Sequence, residues 1–215
     1  MSVNKQYYTE DWFSKRKEKW SKILDKYKNK KATFLEIGVF EGRCSVWLLK
    51  NILKHKDSKL YCIDHFLQKN KRNEDTYNIF LNNTEQYKNK INLYKGYSFD
   101  MLKKINNKFD FIYVDAGRHS KNVIEDTILS WNLLKTDGIM IIDDYTNNKE
   151  HDVNCPRKAI DSFMDIYAHE LKVIETRWQV IIKKRNKKLI TKPCYSEQSN
   201  EPKNMPLFFK KNYIS

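Results

Sequence analysis

Thr33-Phe34-Leu35-Glu36-Ile37-Gly38-Val39, running on into Phe40-Glu41-Gly42, is the stretch that decides the fold. It reads as a buried strand that ends in an acid and two small residues, followed by a loop with glycines at Gly38 and Gly42 and a helix from about Arg43. A backbone that turns sharply at the top of a strand, with glycines where a ligand must press close, is a nucleotide-type binding loop. The spacing Glu36-x-Gly38-x-x-x-Gly42 lacks the middle glycine that lets a pyrophosphate touch the backbone. This disfavours an NAD-linked oxidoreductase. A ligand with adenosine but no phosphate does not need that glycine, and S-adenosylmethionine is the obvious one.

Outward from this loop the chain alternates. Apolar runs at Thr33 to Val39, Lys59 to Ile63, Ile91 to Tyr94, Phe109 to Val114 and Ile139 to Ile142 read as strands. Helical patterns lie between them, at Ser45 to Leu53, about Asp75 to Tyr87, Phe99 to Ile105 and Asn122 to Leu134, with another from about Arg157 to Ala168. Short, near-continuous runs of Ile, Val, Tyr and Phe separated by helices predict a parallel sheet covered on both faces. Two last strands, Leu171 to Glu175 and Trp178 to Ile182, stand close enough to form a hairpin, which brings in an antiparallel strand. The expected architecture is an α/β, Rossmann-like three-layer sandwich with a mostly parallel seven-stranded sheet and a C-terminal antiparallel β-hairpin strand. Residues 31–185 form the main domain. Residues 1–30 precede it as an amphipathic helix over Thr9 to Tyr27, either packed on the domain or serving as a lid. Residues 186–215 form an irregular, polar tail with an apolar tip at Leu207-Phe208-Phe209, which gives a route to a homodimer.

Composition narrows the class. The 215 residues suit one domain with a sizeable core. No long apolar run or signal-type start is present, so neither a membrane span nor export is expected, and the location read from the sequence is cytoplasmic. Cys44, Cys62, Cys155 and Cys194 are scattered, which fits reduced thiols and offers no zinc spacing. The net charge of +14 raises nucleic acid as a partner, although lysine and asparagine recur throughout as in a general compositional bias.

In an open α/β sheet the ligand lies beyond the carboxyl ends of the strands. Acids stand at four of those ends: Glu36, Asp64, Asp115 and the pair Asp143-Asp144. Asp64, about twenty residues past the glycine loop, is placed to accept both ribose hydroxyls, or else caps a helix. Ser98, in Gly96-Tyr97-Ser98, either reaches an adenine edge or caps the next helix. Glu36 binds ligand or satisfies loop amides. Asp115 and Asp144 are site residues or turn caps, and four acids at strand tips are harder to explain as structural than any one alone.

These residues resemble class I S-adenosylmethionine-dependent methyltransferases, and in particular the small O-methyltransferases of methyltransferase family 24. The likeness covers about Thr33 to Lys183 and rests on the ordered set FLEIGVFEG, YCIDHF, YKGYSFDML, FDFIYVDAGRHS, LLKTDGIMIIDDY and PRKAIDSF. It implies that Glu36, Gly38 and Gly42 bind the methionine part of S-adenosylmethionine, Asp64 the ribose and Ser98 the adenine neighbourhood, with Asp115 beside the cofactor. In related metal-dependent enzymes, acids matching Asp115 and Asp144 hold Mg2+, though Tyr145 stands where those enzymes place an Asn ligand.

Methyl transfer to a hydroxyl needs alignment and a group that takes the proton. His119, after strand four, is the candidate base beside Asp115, with His151 in reserve and Arg118 suited to an anionic substrate. The function this implies is O-methylation of a sugar or other small molecule. An RNA ribose or cap methyltransferase is the alternative, with Asp115, Lys158 and Glu175 as its loosely spaced constellation. A non-enzymatic binding module is a third reading.

Overall fold

The computed structural model of the protein describes residues 6–115, 117–146 and 155–186. Their strands are β1 (Thr33–Ile37), β2 (Lys59–Asp64), β3 (Ile91–Lys95), β4 (Phe109–Val114), β5 (Leu134–Ile142), β6 (Leu171–Thr176) and β7 (Val180–Lys184). They form one sheet in the order β3-β2-β1-β4-β5-β7-β6. Neighbours from β3 across to β5 are parallel. Strand β7 runs antiparallel to both β5 and β6, so the hairpin reverses a single strand, as its short connection requires.

Apolar runs form these strands because both faces of the sheet are buried. Phe34 of β1 points into one core with Trp20, Leu48, Phe80 and Phe111. Its neighbours Leu35 and Ile37 point into the other, with Phe109, Leu102, Trp131 and Phe163. Helices α1 (Lys17–Ile23), α2 (Arg43–Asn51) and α3 (Thr76–Thr84) cover the first face. The second is covered by α4 (Ser98–Leu102), α5 (Ser120–Leu133) and α6 (Pro156–Ile166). Each large apolar side chain so buried contributes about 1.5–3 kcal/mol. The expected three-layer sandwich is the observed one.

Three local expectations change. The single helix over Thr9 to Tyr27 is broken: no helix forms before a 3-10 turn at Ser14–Arg16, and a second 3-10 turn at Asp25–Tyr27 follows α1. The early amides are bound elsewhere. Thr9 N donates to Glu41 at 2.7 Å, and Asp11 accepts from Ser14 N at 2.8 Å, so helical structure starts only at Ser14. Trp12 therefore does not share the buried face of Trp20; it is 57% exposed and leans on Phe40. The helix expected over Phe99 to Ile105 is the short α4, and β5 begins at Leu134 directly after α5.

Cys44, Cys62 and Cys155 are free and buried. Among the described residues no helix is long and apolar enough to cross a membrane. Cys194, His151 and the tail tip at Leu207-Phe208-Phe209 lie outside the described residues. Because β1 has β2 on one side and β4 on the other, the chain changes direction between β1 and β4, and their carboxyl ends open the crevice where such sheets bind ligands.

Candidate functional site

Backbone bonds stitch the strand tips around that crevice. Gly38 N donates to Ile63 O, Gly96 N to Asp64 O, Asp115 N to Ile37 O and Asp143 N to Val114 O, all within 2.8–3.0 Å. The loop after β1 has positive φ at Gly38, Phe40 and Gly42. Such a turn aims successive amides the same way, a geometry that usually cradles an anion. Here the anion is the protein's own. Asp64 Oδ2 accepts from both Val39 N and Phe40 N at 2.9 Å, while Oδ1 accepts from Phe66 N at 2.7 Å. A phosphate finds those amides taken. Three of the four acceptor positions of the Asp64 carboxylate are filled, and one on Oδ1 remains for a sugar hydroxyl.

The other loop residues support rather than line the cradle. Glu36 is 1% exposed beneath α2 and accepts from Ser45 Oγ at 2.6 Å. Burial pushes its carboxyl up to about 7, partly offset by the bonds from Ser45 and Cys44. Gly42 caps α2 at φ 82°, and a Cβ there would lie 2.9 Å from Phe80 Cδ2, so its small size is needed for packing on α3. Glu41, also buried, accepts from Thr9 Oγ1 at 2.6 Å and Asn70 Nδ2 at 3.0 Å, tying the N-terminal segment down over the loop.

At the β4 and β5 tips lies a second cluster, most of it illegible in the sequence. Asp143 is buried and salt-bridged to Arg16, which reaches it from the N-terminal segment at 2.6 Å. Gln179 Nε2 donates to Asp143 at 3.1 Å and is itself held by Trp20 Nε1 at 3.0 Å. Tyr113 Oη contacts Asp143 and also Asp115 Oδ2, the latter at 2.7 Å. One hydroxyl proton cannot serve two carboxylates at once, and Arg16, which also reaches Tyr113 Oη, supplies the charge beside Asp143. Although Asp115 keeps an exposed edge, desolvation of its carboxylate among these groups, then the charge of Asp143, raises it well above the usual carboxylate range. The sequence showed Asp115 and Asp143 as acids at strand tips, but not that Tyr113, two residues before Asp115, would join them.

Asp144, at φ 61°, accepts from Arg118 Nε at 3.1 Å. His119 is exposed as the cap residue of α5, its carbonyl accepting from Val123 N at 3.0 Å. It shares the β4–α5 connection with Asp115, but no hydrogen bond joins the two among the described residues. Ser98 opens α4 and bonds to Asp126 of α5, a buried acid whose carboxyl burial raises to about 6. Asp126 was missed because an acid inside a helical pattern, here next to Glu125, reads as surface.

The acids do not fit a divalent ion as they stand. Arg118 occupies Asp144, Arg16 occupies Asp143, and no group of three or more His, Cys, Asp or Glu able to hold a metal exists among the described residues. Of the Asp115, Lys158 and Glu175 constellation, Glu175 of β6 is paired with Lys19 of α1.

Flat apolar surface flanks both halves of the crevice. Tyr97, 60% exposed, stands 5.4 Å from His65 beyond the β2 and β3 tips. Trp178, 72% exposed, sits in the β6–β7 turn, where its carbonyl accepts from Tyr145 N at 3.1 Å. The first suits an adenine, the second a ring-shaped acceptor.

Comparison with known proteins agrees with this geometry. A family model described as a methyltransferase domain matches residues 35–145, just over half of the chain. The O-methyltransferase TomG from Streptomyces achromogenes, solved with S-adenosylmethionine, superposes with a TM-score of 0.63 at 15% identity over 81% of this chain and 82% of that one. An O-methyltransferase from Bacillus cereus in complex with S-adenosylhomocysteine gives 0.61 at 16% identity over 81% and 82%. The MycE methyltransferase, solved with Mg and S-adenosylhomocysteine, gives 0.57 at 12% identity over 84% of this chain and 51% of that one. At such identities the likeness is one of fold, and the family match carries the assignment. The chain belongs to the methyltransferase-domain family and is a class I S-adenosylmethionine-dependent methyltransferase.

Proposed function

We propose that the protein methylates a hydroxyl on a sugar or other small molecule. The observation that carries the reading is the division of the crevice. One half is a loop whose amides are closed to phosphate by Asp64, and the other is a polar pocket mouth of Asp115, Arg118, His119 and Asp144 beside the exposed Trp178. When bound, S-adenosylmethionine supplies an electrophilic methyl group on a sulfonium.

The protein's own residues do the rest. Gly38 and Gly42 shape the loop along the methionine part, with Glu36 behind it fixing the start of α2 through Ser45. Asp64 keeps its last acceptor position for one ribose hydroxyl. Tyr97 flanks the adenine, and Ser98, held by Asp126, borders its edge. Asp115 stands where β1 and β4 meet, beside the reacting centre. The acceptor oxygen attacks the methyl carbon as the carbon–sulfur bond breaks, and its proton passes to the His119 imidazole. Arg118 and Asp144 fix the acceptor's orientation, and proximity supplies most of the acceleration. No step is routed through a metal: of the two carboxylates named for Mg2+, Asp144 is paired with Arg118 and Asp115 is bonded to Tyr113 Oη.

The test is transfer of isotope-labelled methyl from S-adenosylmethionine to panels of sugars and phenols. Label should appear on a hydroxyl, and His119→Ala should lower kcat by about 10²-fold or more while cofactor affinity is unchanged. Tight cofactor binding without transfer to any hydroxyl would sink the proposal.

A further inference from the structure

The positive charge of this chain is not spread evenly. The segments that lead into the amino ends of β1 to β4, residues 25–31, 54–59, 85–90 and 103–108, hold twelve lysines and three acids, Asp25, Asp57 and Glu85. They account for nine of the fourteen net positive charges, at the pole opposite the methyl-transfer crevice. Two of the three acids are already engaged locally, Asp25 with Lys28 at 2.7 Å and Glu85 with Lys88 at 2.6 Å. Nearby Asp110 is likewise taken by Lys135 and by Thr33 N. Lysines scattered by compositional bias alone would not gather at one end of the sheet.

This pole also has shape. A cavity of about 440 Å³ is sunk between the starts of β1 and β2, lined by Lys31, Thr33, Lys56, Lys59, Tyr61 and Asn107, with Asp57 its one acid. Lys31 and Lys56 are exposed and have no ion pair among the described residues. Lysines around a concavity, with hydroxyl and amide groups at its wall, match phosphate oxygens as point charges and hydrogen-bond donors do. What is missing is equally informative. None of the exposed large apolar side chains falls in the four segments. Tyr61 is half-buried, stacked on Tyr94 and met edge-on by Phe109. Unstacked bases need aromatic platforms, so the surface does not suit a single strand. It fits a ridge of phosphates on a paired helix.

We propose that this pole is a docking surface for the phosphate backbone of duplex nucleic acid, read without base sequence and separate from the methyl acceptor site. The enzyme is thereby held on a polyanion with its crevice facing away.

Fluorescence anisotropy with a labelled RNA duplex of about 20 base pairs tests it, using the full chain across a salt series. Wild type should bind at low salt, and Lys31→Glu/Lys56→Glu should weaken binding at least tenfold and make the log–log salt slope shallower by about 2. Arg118→Glu, at the other pole, should leave duplex binding unchanged. Calorimetry with S-adenosylmethionine and the melting temperature should match wild type for K31E/K56E, showing that the fold is intact. The proposal is overturned if wild type does not bind the duplex at low salt, or if R118E weakens binding as much as K31E/K56E. Binding to phosphatidylserine vesicles with none to the duplex overturns it in favour of a membrane.

Discussion

Two buried acids make single residues of this protein sensitive to pH. Glu36 is held at about 7 and Asp126 at about 6, both raised by burial from ordinary carboxylate values. A group whose folded pKa is raised binds its proton more tightly in the folded state. Its contribution is full below the unfolded value near pH 4 and is lost as pH rises through the folded value. Stability should therefore fall in two overlapping steps between about pH 4 and pH 7. Glu36→Gln should remove the upper step and leave the Asp126 step, raising stability at about pH 8 by on the order of 3 kcal/mol relative to wild type. Urea midpoints measured across pH check this; an E36Q profile with the wild-type slope intact would show that Glu36 does not titrate in this window. Glu36 was legible as an acid at a strand tip, but its direction was not. Only the packing of α2 shows that it bonds to Ser45.

At the scale of elements, the glycine loop, α2 and α3 form one unit whose geometry converges on Gly42. Gly42→Ala places a Cβ at φ 82° and 2.9 Å from Phe80. Left-handed strain and overpacking together should cost about 2–4 kcal/mol. Trimming the opposing ring in Gly42→Ala/Phe80→Leu should recover the packing part, so a double-mutant cycle by chemical denaturation reads the coupling. Strict additivity would remove the Phe80 contact from the account. The N-terminal segment is the other such unit. Arg16→Ala leaves Asp143 buried without its cation and should destabilise by about 3–5 kcal/mol. Arg16→Ala/Asp143→Asn should restore much of this, because no uncompensated charge is then left inside. Equal loss in both variants would mean that Arg16 acts through packing alone. The sequence announced the helices and strands themselves through their apolar periods. It did not announce that residues 6–13 form no helix, with the Tyr7 and Thr9 amides bound to Asn83 and Glu41, far away in the chain.

For the whole molecule, the two poles of the sheet differ in charge and shape. The carboxyl ends carry the donor loop and the acid cluster; the amino ends carry most of the net charge. Trp178 stands on the acceptor side, in a turn that exists only because β7 folds back beside β5. Under the proposed function, Trp178→Ala should raise the acceptor KM several-fold, with kcat, cofactor affinity and melting temperature near wild type. A shift in cofactor affinity instead would move Trp178 to the donor half.

The amino-acid sequence by itself determined the layered α/β sheet, the succession of its strands along the chain with the closing hairpin, and the loop after β1, because these follow from local apolar runs, glycine placement and short connections. It also supplied Asp64 as an acid at the next strand tip, read there as a ribose acceptor or a helix cap. Tertiary structure alone decided what Asp64 holds, that Arg16, Tyr113, Asp143 and Gln179 meet at one point, and that lysines from four loops share one pole. Those meetings join residues far apart in the chain, and their partners are chosen by how strands and helices pack rather than by any neighbour in sequence.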